Sequence, residues 1–371
     1  MILLQPYART PTAGAAWLTG TLIIVNRNPP GEPRFSEDDL IASIRHVLSG
    51  DFPGVVVGPG DDAAVVHAGP GDSVLTTDML VEGVHFVASA TPARDLGAKA
   101  IVANLSDIAA MGATPRHAVV SLGLSDRTDP PWVAELFEGM LATCGEYGCA
   151  LVGGDLSRSP VIVISVAVTG EVAAERAVLR SGAAPGHRLA VTGCLGAAAG
   201  GLALLRADGV DPAPGTREAM ESAWGRALLE RHLHPTARVG EGRALAECGA
   251  TAMMDLSDGL ALDLSRLCRE SGAGARVELA AIPVAAELHE LARVLSIDPL
   301  RLALSGGEDY ELLAALPPDA VGEARRRISA RFGIELTEIG EITEEPRVVA
   351  VDAEGGVTPL AAEGWDHFGS R

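Results

Sequence analysis

Short acidic motifs that also contain glycine, serine or threonine recur along this 371-residue chain. They constrain the possible folds and functions of the chain more than any other feature of the sequence. Most of them place an aspartate at the edge of an apolar segment. If folding brings such carboxylates together, they repel one another unless cations lie between them. The recurrence therefore predicts a shared site that binds several metal ions.

Two early motifs supply oxygen atoms that suit a hard cation. Asp62 lies in the glycine turn GPGDDAA, where it could face a cation or bond to its own backbone. Thr76, Thr77 and Asp78 follow an apolar strand, and their oxygens suit Mg²⁺, although a helix cap or a hydrogen-bonded turn is the alternative. His85 follows closely, and an isolated histidine is more often structural than functional.

Asp107 lies in the motif NLSDIAAMGA, within a helix predicted from about Ala93 to Met111. Its neighbours in that helix are mostly alanine, isoleucine, leucine and methionine. A carboxylate in such surroundings is costly unless it is paired or bound to a metal. Metal binding explains Asp107 as well as an ion pair with Lys99 or an arginine does.

Two later motifs place aspartate directly after apolar strands. In GGDLS, Gly154 would let a nucleotide phosphate approach the backbone beside Asp155, although an ordinary tight turn has the same composition. In MDLSDGL, Asp255, Ser257 and Asp258 stand at a predicted strand-to-helix junction. A helix N-terminus favours phosphate and the carboxylates favour a metal, whereas helix capping is the structural alternative.

Glu308 lies in SGGEDYEL, where two glycines before a predicted strand could place it in a pocket or in a plain polar turn.

Familiar signatures are missing elsewhere: the sequence has no GxxxxGK[ST], no kinase-type HRD or DFG, and no HExxH or GxSxG. Phosphate chemistry in this chain would therefore use a site in which acidic residues bind metal ions and the metal ions bind phosphate.

The charge balance excludes several classes of partner. The chain has 49 acidic residues against 29 basic ones, which gives a formal charge of −20. We expect no nucleic acid and no membrane among its partners, because both bind clustered cations. No apolar run reaches the ~20 residues that span a bilayer.

The five cysteines form no CxxC pair, which is typical of proteins in a reducing compartment. We therefore expect a cytoplasmic protein.

The chain resembles the thiamine-monophosphate kinase family, part of the superfamily of aminoimidazole ribonucleotide synthetase, in an ordered set of motifs: GDDAA, TTDMLVEGVHF, NLSDIAAMGA, GGD, LRSGA, MDLSDGL, SGGEDYEL and a closing WDHF. The resemblance runs from about Phe35 to Phe368. It implies transfer of the ATP γ-phosphoryl group to thiamine monophosphate, assisted by several Mg²⁺ ions.

The resemblance also implies an α+β fold with two domains. The first, over residues 35–172, would contain a mixed or antiparallel sheet flanked by helices, would bind metal and ATP, and would pair across a homodimer. The second, over 173–371, would be an α+β domain that adds ATP and substrate contacts. Residues 1–34 lie outside the family pattern, and we expect a flexible extension there.

The family motifs assign roles to particular residues of this sequence. The implied magnesium ligands are Asp62, Thr76, Thr77, Asp78, Asp107, Asp155, Asp255 and Asp258. The implied ATP contacts are Gly154, Asp155, Arg180 and Ser257. The implied substrate contacts are His85, Glu308 and Trp365. The residues expected to act in catalysis are Asp78, Asp107, Asp155 and Arg180.

Two other hypotheses remain at this point. One is a different ATP-dependent enzyme of the same superfamily, such as selenophosphate synthetase, which would need a reactive cysteine near the N-terminal glycine motif; the first cysteine here is Cys144. The other is a non-catalytic sensor that binds nucleotide or metal. Loss of acidic motifs would favour the sensor, and all of them are present.

Overall fold

The computed structural model describes residues 44, 46–48, 55–57, 65–66, 68–208 and 214–367. Asp62 and the expected extension over residues 1–34 lie outside the described residues. The strands are β1 (Val55–Val57), β2 (Val65–Val66), β3 (Asp72–Val81), β4 (Thr114–Leu124), β5 (Ala150–Arg158), β6 (Val163–Val172), β7 (Arg188–Thr192), β8 (Ala252–Asp255), β9 (Gly274–Glu278), β10 (Leu312–Leu316), β11 (Leu336–Thr343), β12 (Val348–Val351) and β13 (Val357–Pro359).

The helices of the described part lie between these strands, and four of them follow one another between β7 and β8. They are α1 (Ala93–Ala110), α2 (Pro130–Glu146), α3 (Ala197–Ala207), α4 (Thr216–Glu221), α5 (Ala223–Leu233), α6 (Val239–Glu247), α7 (Leu260–Ser271), α8 (Leu288–Leu295), α9 (Pro299–Ser305) and α10 (Val321–Phe332). None of the helices in the described ranges is both long enough and apolar enough to cross a membrane.

A four-stranded sheet in the order β3-β6-β4-β5 organises the first half of the described chain. β4 and β5 run parallel and the other neighbours antiparallel, which confirms the expected mixed sheet. Side chains alternate between the two faces of a strand, and in β6 Ile164, Val166 and Val168 are buried while the residues between them are partly exposed. One face of the sheet is therefore covered and the other is accessible.

Helices α1 and α2 pack against each other through two glycines. A Cβ atom at Gly97 would lie 2.0 Å from the carbonyl oxygen of Leu136, and one at Gly139 would lie 1.9 Å from that of Arg94. Only glycine allows so close an approach of two backbones. The tight packing leaves most of α1 buried, so any polar side chain on this helix must find a partner inside the protein.

A seven-stranded sheet in the order β13-β12-β9-β11-β7-β10-β8 organises the second half. Its strand β10 is buried on both faces: Leu312 and Ala314 pack into a core shared with α1, whereas Leu313 and Ala315 pack into a second core. The first half therefore packs directly onto the second sheet. These two large sheets with their flanking helices, together with a small sheet of β1 and β2, confirm the expected α+β architecture.

Candidate active site

Helix α1 joins the two halves of the protein at the site. Asp107 on this helix accepts a 2.5 Å hydrogen bond at Oδ2 from the hydroxyl of Thr76 on β3. The adjacent Ser106 donates a 2.8 Å hydrogen bond to Oδ2 of Asp255 on β8. One helix thus holds a strand of each sheet, and the carboxylates of three distant motifs meet around it.

The alternation of side chains along β3 decides which residues of the TTD motif reach this helix. Thr76 and Asp78 share the covered face, and the backbone N–H of Asp78 donates a 3.0 Å hydrogen bond to Asn104 Oδ1. Thr77 lies on the opposite, accessible face, where its hydroxyl donates to the carbonyl of Val166 at 2.9 Å. The magnesium contact assigned to Thr77 stays a prediction. If it exists, the ion lies on the opposite face of the sheet from Asp78.

A cavity of about 270 Å³ opens beside these carboxylates. Residues of β3, α1 and α3 line it, together with the segments that follow β3, β8 and α9 and the end of the described chain. It brings together these residues that sequence motifs singled out: Asp78, His85, Asp107, Asp255, Ser257, Asp258, Glu308 and Trp365. Motifs spread over most of the chain therefore converge on one cavity.

Burial and mutual repulsion disfavour the ionised forms of the carboxylates in this cavity. Burial, with the charges of Asp107 and Asp258, raises the pKa of Asp78 to about 6. Burial and the charge of Asp107 raise the pKa of Asp255 to about 8. Burial also raises the pKa of Asp107 itself, while the nearby Arg180 guanidinium opposes that rise. A cation bound among these groups would remove the penalty for ionising them.

The donor set fits Mg²⁺ held jointly by the protein and by phosphate oxygens. Among the described residues, no three carboxylate, imidazole or thiol side chains lie close enough to hold one ion together. Mg²⁺ commonly takes one or two protein carboxylates and completes its octahedron with water and substrate phosphates. Asp78, Asp107 and Asp255 can serve in this way. Asp258 is already ion-paired, with Arg266 Nη1 2.5 Å from its Oδ2.

Glu308 enters the cavity on a strained segment between α9 and β10. Glu308 and Tyr310 have φ values of 68° and 50°, in the left-handed region that residues other than glycine rarely adopt. Lys99 Nζ lies 2.8 Å from Glu308 Oε1, and His232 Nδ1 lies 3.3 Å from Oε2. Burial by itself would raise the pKa of Glu308, but these two neighbours hold it at about 2, so the carboxylate stays ionised.

Three rings form another part of the lining. The ring centroids of His85 and His367 lie 5.0 Å apart, and Trp365 meets His367 edge to face at 5.7 Å. The Val81 N–H donates to His85 Nδ1 at 2.9 Å, which leaves Nε2 as the protonated nitrogen of the neutral ring. Burial, and then the neighbouring His367, lower the pKa of His85. The Trp365 backbone N–H donates to the Asp258 carbonyl at 2.9 Å, which ties this segment to the site.

Several predicted residues lie outside the cavity. Gly154 and Asp155 are exposed on β5, the edge strand farthest from β3, and Asp155 is in register with Ser121 on the accessible face. Arg180 is also exposed, although it is close enough to Asp107 to affect its pKa. The ATP and metal contacts assigned to these residues stay predictions, and Asp62 lies outside the described residues.

Three residues of the site, Asn104, Arg206 and His367, carry no role in the sequence-based prediction, and Lys99 was considered there only as a partner of Asp107. Lys99 pairs with Glu308 rather than with Asp107, whose hydrogen-bond partner is a threonine. Asn104 and His367 lie inside the motifs NLSD and WDHF, so the sequence held a signal for them. Arg206 follows the glycine- and alanine-rich start of α3, and only the fold shows that it lines the cavity.

Comparisons with known proteins agree on one family. The model of the AIR synthase related protein N-terminal domain matches residues 60–172, and that of the C-terminal domain matches residues 184–353. The thiamine-monophosphate kinase of Salmonella typhimurium is 36% identical over 315 residues, which cover 85% of this chain and 92% of that protein. The two family models span the four-stranded sheet and all strands of the seven-stranded sheet except β13.

Two solved structures extend the similarity to three dimensions. The thiamine-monophosphate kinase of Stenotrophomonas maltophilia superposes with a TM-score of 0.75 at 34% identity and covers 88% of this chain and 98% of that one. The structure described as AaThiL complexed with AMPPCP and TMP gives 0.70 at 34% identity, with 90% and 97% covered. The chain therefore belongs to the thiamine-monophosphate kinase family, phosphotransferases whose acceptor is a phosphate group.

Proposed function

We propose that this chain transfers the γ-phosphoryl group of ATP to the phosphate of thiamine monophosphate, giving thiamine diphosphate and ADP. The observation that carries the proposal is the shared cavity, in which three aspartates with raised pKa values lie beside an aromatic group and an ionised glutamate. A relative of 34% identity has been described with AMPPCP and TMP bound, which supports both substrates.

The aspartates account for the donor side of this reaction. The acceptor phosphate is already anionic and needs no strong base, so the main obstacle is its repulsion from the triphosphate. Asp78, Asp107 and Asp255 would hold Mg²⁺, with Asp62 and Asp155 as further ligands that the resemblance implies. Several bound Mg²⁺ ions would screen the two substrates from each other and neutralise the charge that develops during in-line transfer. Arg180, near Asp107, could present its guanidinium fork to the transferred group.

The aromatic group and Glu308 account for the acceptor side. The thiazolium ring of thiamine is a cation, and cations bind over the faces of tryptophan rings with ~0.5–2 kcal/mol. Trp365 supplies such a ring, and the neutral His85 presents Nε2–H as a hydrogen-bond donor. Glu308, ionised over the whole physiological range, would add a charge opposite to that of the thiazolium.

We propose that the protein works as a homodimer formed through the accessible face of the first sheet. Leu75, Met79 and Val119 lie on this face with 74%, 53% and 42% of their surfaces exposed, which is unusual for large apolar side chains on adjacent parts of a sheet. Asp155 and Thr77 lie on the same face, toward opposite edges. Three strand spacings of about 4.8 Å keep them roughly 14 Å apart within one chain. Pairing of two such faces would bring these predicted ligands of two subunits together.

A cytoplasmic location fits the thiols of the protein. All five cysteines, Cys144, Cys149, Cys194, Cys248 and Cys268, are free. Proteins in oxidising compartments usually pair such residues in disulfides. We therefore propose that the chain works where thiols stay reduced.

A reconstituted reaction tests the proposed function. Purified protein is mixed with ATP, MgCl₂ and thiamine monophosphate, and ADP and thiamine diphosphate are quantified by chromatography. We expect both products in equal amounts, no turnover after chelation of Mg²⁺ with EDTA, and no phosphorylated product when thiamine replaces its monophosphate. Binding of ATP without ADP formation would instead support the sensor hypothesis.

A further inference from the structure

Lys99 is the only lysine in the chain, whose other basic residues are all arginines. Only 4% of its surface is exposed, although lysine is among the residues that are almost never fully buried without a partner. It lies on α1, two turns before Asp107. The single primary side-chain amine of the chain is therefore buried behind the residues that line the active-site cavity, next to Glu308.

The contacts of Lys99 join elements from both halves of the protein. Its Nζ lies 2.8 Å from Glu308 Oε1 and donates a 3.3 Å hydrogen bond to the carbonyl of His232 at the end of α5. His232 Nδ1 lies 3.3 Å from the other carboxylate oxygen of Glu308, and it has no further hydrogen-bond partner among the described residues. The Glu308 carboxylate therefore lies between the Lys99 amine and the His232 imidazole, and the amine also contacts the His232 backbone.

The contacts of Lys99 and His232 hold the side chain of Glu308. Glu308 has a positive φ, and its backbone N–H donates to the Ser257 carbonyl at 2.8 Å, so the strained segment is fixed at the main chain. Its carboxylate would still be free to rotate without the two side-chain partners. An ammonium is a compact charge on a flexible stem, whereas a guanidinium is a broad planar fork. The compact ammonium of Lys99 reaches both the Glu308 carboxylate and the His232 carbonyl.

We propose that Lys99 is a positioning residue for the acceptor substrate, acting through Glu308 and assisted by His232. Lys99 does not line the cavity, so its effect on the substrate passes through the carboxylate it orients. This inference rests on the proposed function for the identity of the acceptor. It assigns to the buried amine a part in acceptor affinity and none in ATP affinity.

Chemical labelling tests the contact independently of the reaction catalysed. Acetylation by an N-hydroxysuccinimide ester, followed by peptide mass spectrometry, reports on one side-chain amine only, because the chain has one lysine. We expect slow labelling of Lys99 in the native protein and labelling at least ~10-fold faster in Glu308→Gln, since loss of a buried carboxylate partner frees the amine. Glu138→Gln, which removes an exposed partner of Arg94 on the same helix, is the control and should leave the rate unchanged.

Equal labelling rates in the native protein and in folded Glu308→Gln would overturn the contact. Thermal melts of each variant establish that it is folded at the labelling temperature. This result does not depend on whether thiamine monophosphate is the acceptor.

Steady-state kinetics test the functional part. Lys99→Met should raise KM for thiamine monophosphate by ~10-fold or more and leave KM for ATP within about twofold, because a contact worth ~1.4 kcal/mol corresponds to a factor of ten. In a Glu308→Gln background the same substitution should change KM for the acceptor no further, since both changes remove one interaction. Arg94→Met is the control on the same helix and should change neither KM.

Parallel increases in both KM values, or additive effects in the double variant, would overturn the positioning role of Lys99. If native protein lacks kinase activity, the proposed function fails, and the labelling experiment still decides whether the contact exists. If native protein is active and Lys99→Met behaves like it, only the inference about Lys99 fails.

Discussion

Ser106 on α1 donates a 2.8 Å hydrogen bond to Asp255 on β8, a residue 149 positions away in the chain. The bond joins the helix of the first half to a strand of the second sheet at the floor of the cavity. It also connects the two acidic motifs NLSD and MDLSDGL, and the charge of Asp107 in the first motif helps to raise the pKa of Asp255 in the second.

The first prediction concerns the metal-free protein and pH. The pKa of Asp255 is raised from 3.8 to about 8, so the folded protein binds this proton more tightly than the unfolded chain does. The stability that Asp255 contributes should therefore be fully present below about pH 4 and fall as pH rises toward 8, because unfolding then becomes coupled to loss of that proton. Asp255→Asn should remove roughly 2–4 kcal/mol of this dependence. Thermal melts from pH 5 to 8.5 in EDTA measure it.

Magnesium should reverse that trend. Mg²⁺ binds the ionised carboxylates of the folded protein, so added MgCl₂ should raise Tm more at pH 8 than at pH 6. Asp255→Asn should reduce the response, whereas Asp319→Asn, an exposed aspartate in the turn before α10, should keep it. An Mg²⁺ response that is the same in all three proteins would contradict a metal site at Asp255.

The second prediction concerns Asp107 in turnover. Asp107→Asn keeps the hydrogen bond from Thr76 sterically possible but removes the charge that would face the metal. We expect kcat to fall by ~100-fold or more and the Mg²⁺ concentration for half-maximal rate to rise, because the ion loses a charged ligand. A titration of initial rate against MgCl₂ tests this. An unchanged Mg²⁺ requirement would rule out a ligand role for Asp107.

The third prediction concerns Trp365 and the thiazolium ring. Trp365→Ala should raise KM for thiamine monophosphate by about 2- to 30-fold, the range that a cation–π contact of ~0.5–2 kcal/mol implies. KM for ATP should stay within twofold. Trp365→Phe, which retains an aromatic face, is the matched control and should recover most of the affinity. Equal losses for both substrates would remove the assigned role.

The fourth prediction concerns the accessible face of the first sheet. Leu75→Glu places a charge among the exposed apolar residues and should convert the proposed dimer to monomer in light scattering after gel filtration. Val357 on β13 is also an exposed apolar residue, 58% accessible, and Val357→Glu should leave the molar mass unchanged. A Leu75→Glu protein that keeps the native mass would exclude this face as the interface.

The fifth prediction concerns the glycines between α1 and α2. Gly139→Ala should lower stability by about 1–3 kcal/mol, since its Cβ would overlap the Arg94 carbonyl oxygen. Gly145 lies on the same helix with no atom near the position of a Cβ, so Gly145→Ala should be neutral or stabilising by about 0.5–1 kcal/mol. Urea denaturation of the two variants compares them directly.

The sequence predicted which residues gather at the site better than it predicted their contacts. The helix of Asp107 was expected from Ala93 to Met111 and is found from Ala93 to Ala110, because its apolar composition and length are local properties. The partner of Asp107 was left open between a metal and a basic residue, and the structure provides Thr76, a contact set by the packing of β3 on α1. Such packing depends on residues far apart in the chain and leaves no local pattern.

The faces of β3 illustrate what could have been recognised. Because side chains alternate along a strand, the sequence TTD necessarily places Thr77 opposite Thr76 and Asp78. The order of strands in the first sheet could not be recognised in this way, and that order sets the distance of Asp155 from Asp78. Lys99 was considered as a partner of the wrong carboxylate for the same reason: the segment of Glu308 reaches α1 only in the folded chain.

Strand β10 has a consequence for how the molecule denatures. Its odd-numbered and even-numbered residues belong to different cores, one of which includes α1 from the other half of the chain. Separating the two halves would expose apolar surface on each of them to water. We therefore expect neither half to be stable by itself, and the two halves to unfold together in one cooperative transition.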